Sequence, residues 1–198
     1  MAALIAASRR AAFPAEIVLV LSDRPEAEGL ARAATAGIPA VTLDYRGFGR
    51  DRAVHEAEID RCRSDAGVEL VCLAGYLRRL TPLLVRRWVG RMLNLHPSLL
   101  PAFPGLDTHA RALAAGVKLH GCTVHLVTET VDDGPILAQA AVPVLPGDTA
   151  KELASRVLAQ EHKIYPLALE MLARPTRSHH PVSGAALLNP LPAPPSLP

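Results

Sequence analysis

The feature that most constrains this 198-residue chain is an alternation in which short, unbroken apolar runs take turns with longer segments of mixed polarity. Ile17-Val18-Leu19-Val20-Leu21, inside 15–21, and Leu70-Val71-Cys72-Leu73-Ala74, inside 68–74, are apolar at every position and too short for ordinary helices. Strands buried on both faces read this way. Between them, residues 26–36 and 51–66 read as helices, each followed by a glycine, Gly37 and Gly67. Strands alternating with helices predict an α/β fold with a mostly parallel, twisted sheet and helices on its faces.

The remaining segments extend this pattern. Residues 1–12 read as a helix whose apolar periodicity is already running at Met1 with no capping residue before it, and Pro14 closes it. Residues 39–43 form a short strand and 45–50 a loop with two glycines. Thr81-Pro82 places a cap and a first-turn proline at a helix start. Residues 117–128 and 136–144 read as antiparallel strands on either side of the turn Asp132-Asp133-Gly134-Pro135. Asp148-Thr149 caps a long helix over 150–172, which Pro166 should kink or divide. Proline and serine then recur without period, so the chain divides into a domain over 1–173 and a Pro-rich disordered tail over 174–198.

Bulk properties exclude several classes of function. The chain is 49% hydrophobic, enough for a real core, and its formal net charge of +2 is spread out, unlike the basic footprint of a nucleic-acid binder. Cys62, Cys72 and Cys122 are odd in number and lack metal-ligand spacing, so a reducing cytoplasm is expected, with no structural metal. No apolar run reaches membrane-spanning length, and Arg9 and Arg10 follow the first apolar stretch where a signal peptide would have them precede it.

The chemistry centres on Asn94-Leu95-His96-Pro97-Ser98-Leu99-Leu100-Pro101, at the end of an apolar run. Side chains two apart on extended backbone point the same way, so Asn94 and His96 should share one space beyond the carboxyl end of a strand. An amide N–H can meet a developing oxyanion, and an imidazole can move a proton near neutral pH. The pair suits acyl-type transfer.

These residues, together with Phe103-Pro104-Gly105, His120-Gly121-Cys122-Thr123-Val124-His125, Val131-Asp132-Asp133-Gly134-Pro135-Ile136 and Gln160-Glu161-His162-Lys163-Ile164-Tyr165-Pro166, resemble the folate-dependent formyltransferases. The resemblance runs over 1–172 and favours the branch that formylates glycinamide ribonucleotide in purine synthesis. It implies that a formyl group moves from 10-formyltetrahydrofolate to the substrate amine, with Asn94, His96 and Asp132 as the catalytic set. By spacing alone Asp132 and Asp133 are equivalent turn residues, and the motif selects Asp132. A carboxylate beside His96 would favour its imidazolium form. The resemblance also places folate against Leu77, Arg78, Arg79 and Leu80, and near Arg52 and Asn94, and gives Glu161 a contact with the ribonucleotide. By residue type alone, Arg52 reads first as a solvated helix residue, and Glu161 equally as a structural partner. Asp107 departs from the pattern, since some relatives carry His there. Two alternatives remain: a formyltetrahydrofolate hydrolase or another formyltransferase of the superfamily, and an inactive remnant that binds folate or a protein partner.

The family begins with a strand and a glycine-rich phosphate loop, and Met1 matches a position just inside the helix after that loop. A sheet without that strand would leave a slot between 16–21 and 69–73. The expectation is that the native product starts upstream of Met1, and that a chain starting at Met1 folds poorly and holds a phosphorylated substrate weakly. Reading the in-frame codons 5′ of Met1 tests this: they should encode a strand and a Gly-rich loop, and an immediate stop codon would overturn it.

Overall fold

In the computed structural model, residues 1–49, 51–174 and the two-residue strand Ala186–Leu187 are described. The chain order is α1 (Ala2–Ser8), β1 (Val20–Ser22), α2 (Glu28–Thr35), β2 (Ala40–Thr42), α3 (Arg52–Asp65), β3 (Val71–Leu73), α4 (Pro82–Arg87), β4 (Met92–His96), α5 (Thr108–Ala114), β5 (Leu119–Leu126), β6 (Ile136–Pro143), α6 (Ala150–Ala173) and β7 (Ala186–Leu187). The strands fall into two sheets. β1 and β2 pair in parallel as one, and β3-β4-β5-β6-β7 form the other. In the larger sheet β3 and β4 are parallel, β4-β5-β6 antiparallel, and β6 and β7 parallel. The α/β class, the parallel pairs and the antiparallel addition are as the sequence pattern predicts.

The main core lies between the larger sheet and α6. Leu153, Val157, Ile164, Ala168, Leu169 and Leu172 form one apolar stripe of α6, packed on Leu93, Val124, Leu137 and Ala140 of the sheet. Truncating one of these leucines would cost roughly 2–5 kcal/mol. α6 starts where expected. Thr149 Oγ1 accepts from Glu152 N and the Glu152 side chain takes the Thr149 N–H at 2.8 Å, a reciprocal capping box. A second, smaller core joins Leu84, Trp88 and Met92, and the buried Trp88 Nε1 donates to Asp60 Oδ1 at 2.8 Å.

Several expected boundaries move. The first helix stops at Ser8 rather than residue 12. Residues 45–50 are not all loop, since Tyr45–Phe48 form a 3-10 turn capped by Asp44. α6 is one continuous helix, so Pro166 does not divide it; the proline is buried in the packed face. The apolar runs 15–21 and 68–74 yield only three paired residues each, because each has a partner on one side only. The tail expectation falls mostly outside the described residues; Ala186 and Leu187 lie along Ala138 and Gln139 of β6. Among the described residues no helix is long and apolar enough to cross a membrane.

Gly121 marks the tightest approach in the sheet: a Cβ there would stand 2.0 Å from the Ala140 carbonyl oxygen and 2.9 Å from the Leu99 side chain. Backbone cannot yield as a side-chain tip can. Gly121→Ala should therefore cost about 3 kcal/mol, a fall in Tm of ~6–12 °C by thermal denaturation.

Candidate active site

The site is assembled where β4 ends. Across the β4–β5 pair, Asn94 lies opposite His125 and His96 opposite Thr123. Asn94 Nδ2 sits 3.2 Å from His125 Nε2. His125 Nδ1 lies 3.0 Å from the Leu126 carbonyl oxygen, which can only accept, so Nδ1 carries the proton. Burial lowers the pKa of this imidazole below its usual range, so near neutral pH the ring is uncharged and Nε2 offers a lone pair. The Asn94 amide therefore turns its nitrogen toward His125 and donates one N–H to it. Its second N–H is left for another acceptor.

The same reasoning fixes His96. Its Nε2 is 3.0 Å from the Phe103 carbonyl oxygen and so donates to it. Nδ1 is then the atom free to gain or lose a proton, and it faces Asp132 Oδ2 at 3.4 Å. Asp132 Oδ2 also accepts the Gly105 N–H at 2.8 Å, and its Oδ1 is 3.8 Å from His125 Nε2. Asp132 reaches this position from a left-handed backbone, φ 55°. A turn of that geometry tolerates Asp, though most side chains would be strained there. Two residues on, a Cβ at Gly134 would stand 1.7 Å from the Leu126 carbonyl oxygen, so the turn closes over β5 only with glycine.

A buried polar network holds the loop after His96. Thr123 Oγ1 donates to the Ser98 carbonyl at 2.7 Å and accepts from Leu100 N at 3.1 Å and Gln139 Nε2 at 2.9 Å. Gln139 Nε2 also donates to the Leu100 carbonyl at 2.9 Å, and Ser98 Oγ to the Ala102 carbonyl at 2.6 Å. These bonds set the path that brings the Phe103 carbonyl onto His96. Left unpaired, each buried group would cost ~1–3 kcal/mol.

An amide, an imidazole and a carboxylate thus meet at one strand end. A formyl transferase family model matches residues 1–169. The chain belongs to the formyl transferase family. It is 41% identical over 171 residues to the phosphoribosylglycinamide formyltransferase of Escherichia coli K12, covering 86% of this chain and 80% of that protein. It is 46% identical over 190 residues to the trifunctional purine biosynthetic protein adenosine-3 of Drosophila melanogaster; this covers 95% of the chain but only 13% of that much longer protein. The crystal structure of phosphoribosylglycinamide formyltransferase from Brucella melitensis superposes with a TM-score of 0.82 at 54% identity, covering 89% of this chain and 90% of that one.

Other family positions stand further out. The loop after β3 begins beside the site, because Leu73 is in register with Asn94. In it Leu77 is 73% exposed, Arg78 stacks over the Tyr45 ring at 4.3 Å, Arg79 is exposed, and Leu80 packs into the smaller core. Arg52 is exposed at the first position of α3. Glu161, on α6, is half-buried; burial pushes its carboxyl pKa up against the pull of the Met1 ammonium. No described hydrogen bond or ion pair ties Arg52, Arg79 or Glu161 to Asn94, His96 or Asp132. Asp107 occupies the N-cap position of α5 in a left-handed conformation, φ 55°, without a side-chain capping bond. Among the described residues no group of three His, Cys, Asp or Glu is placed to hold a metal ion.

Sequence reasoning missed His125, which entered only as one residue of a family motif, and the Thr123–Gln139 brace. Strand alternation puts Thr123 and His125 on one face, but only the pairing register shows that this face is the site.

Behind His96, His120 is buried; burial first, then the neighbouring His109, holds its pKa down at about 4. An unfolded-chain histidine takes its proton near 6.5. Between about 4 and 6.5 the unfolded chain binds more protons, so stability falls as pH drops through that window. Thermal denaturation between pH 7.5 and 4.5 should show this fall, and His120→Gln should flatten it.

Proposed function

We propose that this chain transfers a formyl group from 10-formyltetrahydrofolate to the amine of glycinamide ribonucleotide, a step of purine synthesis, in the cytoplasm. The observation that carries the reading is the convergence of the spare Asn94 N–H, His96 Nδ1 and the Asp132 carboxylate at the end of β4. The names and high identity of the bacterial relatives support the choice of substrates. The three free cysteines suit a reducing compartment.

The donor supplies an activated formyl carbon, and the rest is done by the chain. When the amine bonds to that carbon, the carbonyl electron pair moves onto oxygen. Asn94, its amide already turned by His125, donates to the oxygen as charge builds there, without reorganising. The nitrogen that has attacked must lose a proton and the departing nitrogen must gain one. His96 Nδ1 is the atom able to carry that proton, because Nε2 is committed to Phe103. Asp132 faces Nδ1 and stabilises the ring while it is charged. Exposed apolar residues next to this turn, Val131 and Leu106, and Leu77 on the neighbouring loop fit the flat ring of a folate. Arg52, Arg78, Arg79 and Leu80 complete the folate side of the proposal, and Glu161 the ribonucleotide side.

Formyl-donor turnover should require glycinamide ribonucleotide; equal formate release without it would make the chain a hydrolase. Asn94→Ala should lower kcat by ~10²–10³, as loss of one oxyanion donor does. Asp132→Asn should also lower kcat, with the folded state retained by circular dichroism. Full activity in either variant would overturn the assignment.

A further inference from the structure

α3 carries buried acidic side chains on the face it turns to α4. Glu56 and Asp60, four residues apart, lie on one side of the helix, and each is 5% exposed. Asp60 accepts from Trp88 Nε1 at 2.8 Å and pairs with Arg87 Nη1 at 2.8 Å, which fixes the end of α4. Glu56 meets its start. Thr81 N donates to Glu56 Oε1 at 2.9 Å and to Oε2 at 3.1 Å, and Thr81 Oγ1 donates to Oε2. Every described hydrogen bond to this carboxylate comes from Thr81. Burying a carboxylate is costly, and the short helix α4 does not need one as a cap, since Thr81 Oγ1 itself accepts from Leu84 N.

Thr81 is also where the loop 74–80 ends. The loop begins at β3, whose Leu73 is in register with Asn94. Between these points the backbone of 74–80 makes no hydrogen bond to the rest of the described chain. Its path therefore rests on its two ends and on two side chains: Arg78, stacked over the Tyr45 ring at 4.3 Å, and Leu80, packed into the smaller core. α3 holds Tyr45 as well. His55 Nε2 donates to the Leu43 carbonyl at 2.8 Å, and its ring lies 4.9 Å from that of Phe48, in the 3-10 turn that contains Tyr45. Two adjacent residues of α3 thus hold the two segments that Arg78 joins.

We propose that Glu56 is a positioning residue for the formyl donor: by fixing Thr81 it sets the far end of loop 74–80, and with it the free backbone groups that a folate ring meets. This role rests on the folate reading of the loop. It differs from a plain structural role in what Glu56 holds. α4 stays anchored without Glu56, through Asp60, through Leu84 and Trp88 in the smaller core, and through Arg86, which donates to Glu129 at 2.7 Å. Among the described residues Glu56 alone hydrogen-bonds Thr81 N, so its effect falls on the junction of 80 and 81. A shift there moves the loop and leaves Asn94, His96 and Asp132, on other elements, in place.

Titration calorimetry of the whole chain with 10-formyltetrahydrofolate and no acceptor tests this, beside the amide NMR spectrum. Glu56→Gln keeps the shape but turns a donor toward Thr81 in place of one acceptor. It should weaken donor binding roughly tenfold and move the Thr81 amide signal, with the Leu93 and Val124 signals of the core unmoved. Thr81→Val loses the hydroxyl donor and should also weaken binding. Thr81→Ser keeps both donors and should restore it. That pair decides the matter if Glu56→Gln does not fold. A moved Thr81 signal with unchanged affinity would overturn the inference, as would an equal loss in Thr81→Val and Thr81→Ser. If the unsubstituted chain binds no folate, the folate reading itself falls, and this role with it.

Discussion

The register between β4 and β5 is the constraint on which the site depends. Asn94 meets His125, and His96 meets Thr123, because the two strands pair antiparallel in that one alignment. A slip of one residue would turn Leu93 and Leu95 toward the site and bury Asn94 and His96 in the apolar core. The register is held from both faces. On one, Leu93 and Val124 are wholly buried under α6; on the other, Thr123 and Gln139 bind the loop that leaves β4. The same packing that stabilises the sheet therefore sets the geometry of the candidate site.

Hydrogen bonds to backbone carbonyls then decide what each imidazole can do. Leu126 commits His125 to one tautomer and Phe103 does the same for His96, but the outcomes differ. His125 becomes a fixed acceptor that turns the Asn94 amide. His96 keeps a free Nδ1 opposite a carboxylate. Two residues of one type thus differ in what they present, one a ring fixed as an acceptor and the other a ring with an open nitrogen beside a carboxylate, through the carbonyl each one meets.

The split sheet shows how strongly an edge depends on its neighbour. The runs at 17–21 and 70–73 have the composition of interior strands, yet only three residues in each segment pair. Hydrophobicity along the chain indicates what a segment could bury. Whether it is buried depends on a partner in place on each side, and here one side of each strand opens on a cleft.

Much of the fold was legible locally. The alternation of apolar runs and helical segments gave the α/β class, Thr81-Pro82 and Thr149 marked helix starts, and the turn at Asp132 separated two antiparallel strands. Boundaries were less legible, because Pro166 breaks a lone helix but is tolerated in one held by packing. For the site, the sequence by itself determined the residue types and the same-side placement of Asn94 and His96, since a two-residue period is a property of extended backbone. Asp132 was grouped with them by family resemblance and not by any local pattern; only the tertiary structure decided that His125 joins them and which ring nitrogen faces which partner. Those facts depend on strand pairing and carbonyl directions between residues about 30 positions apart, where local periodicity carries no information.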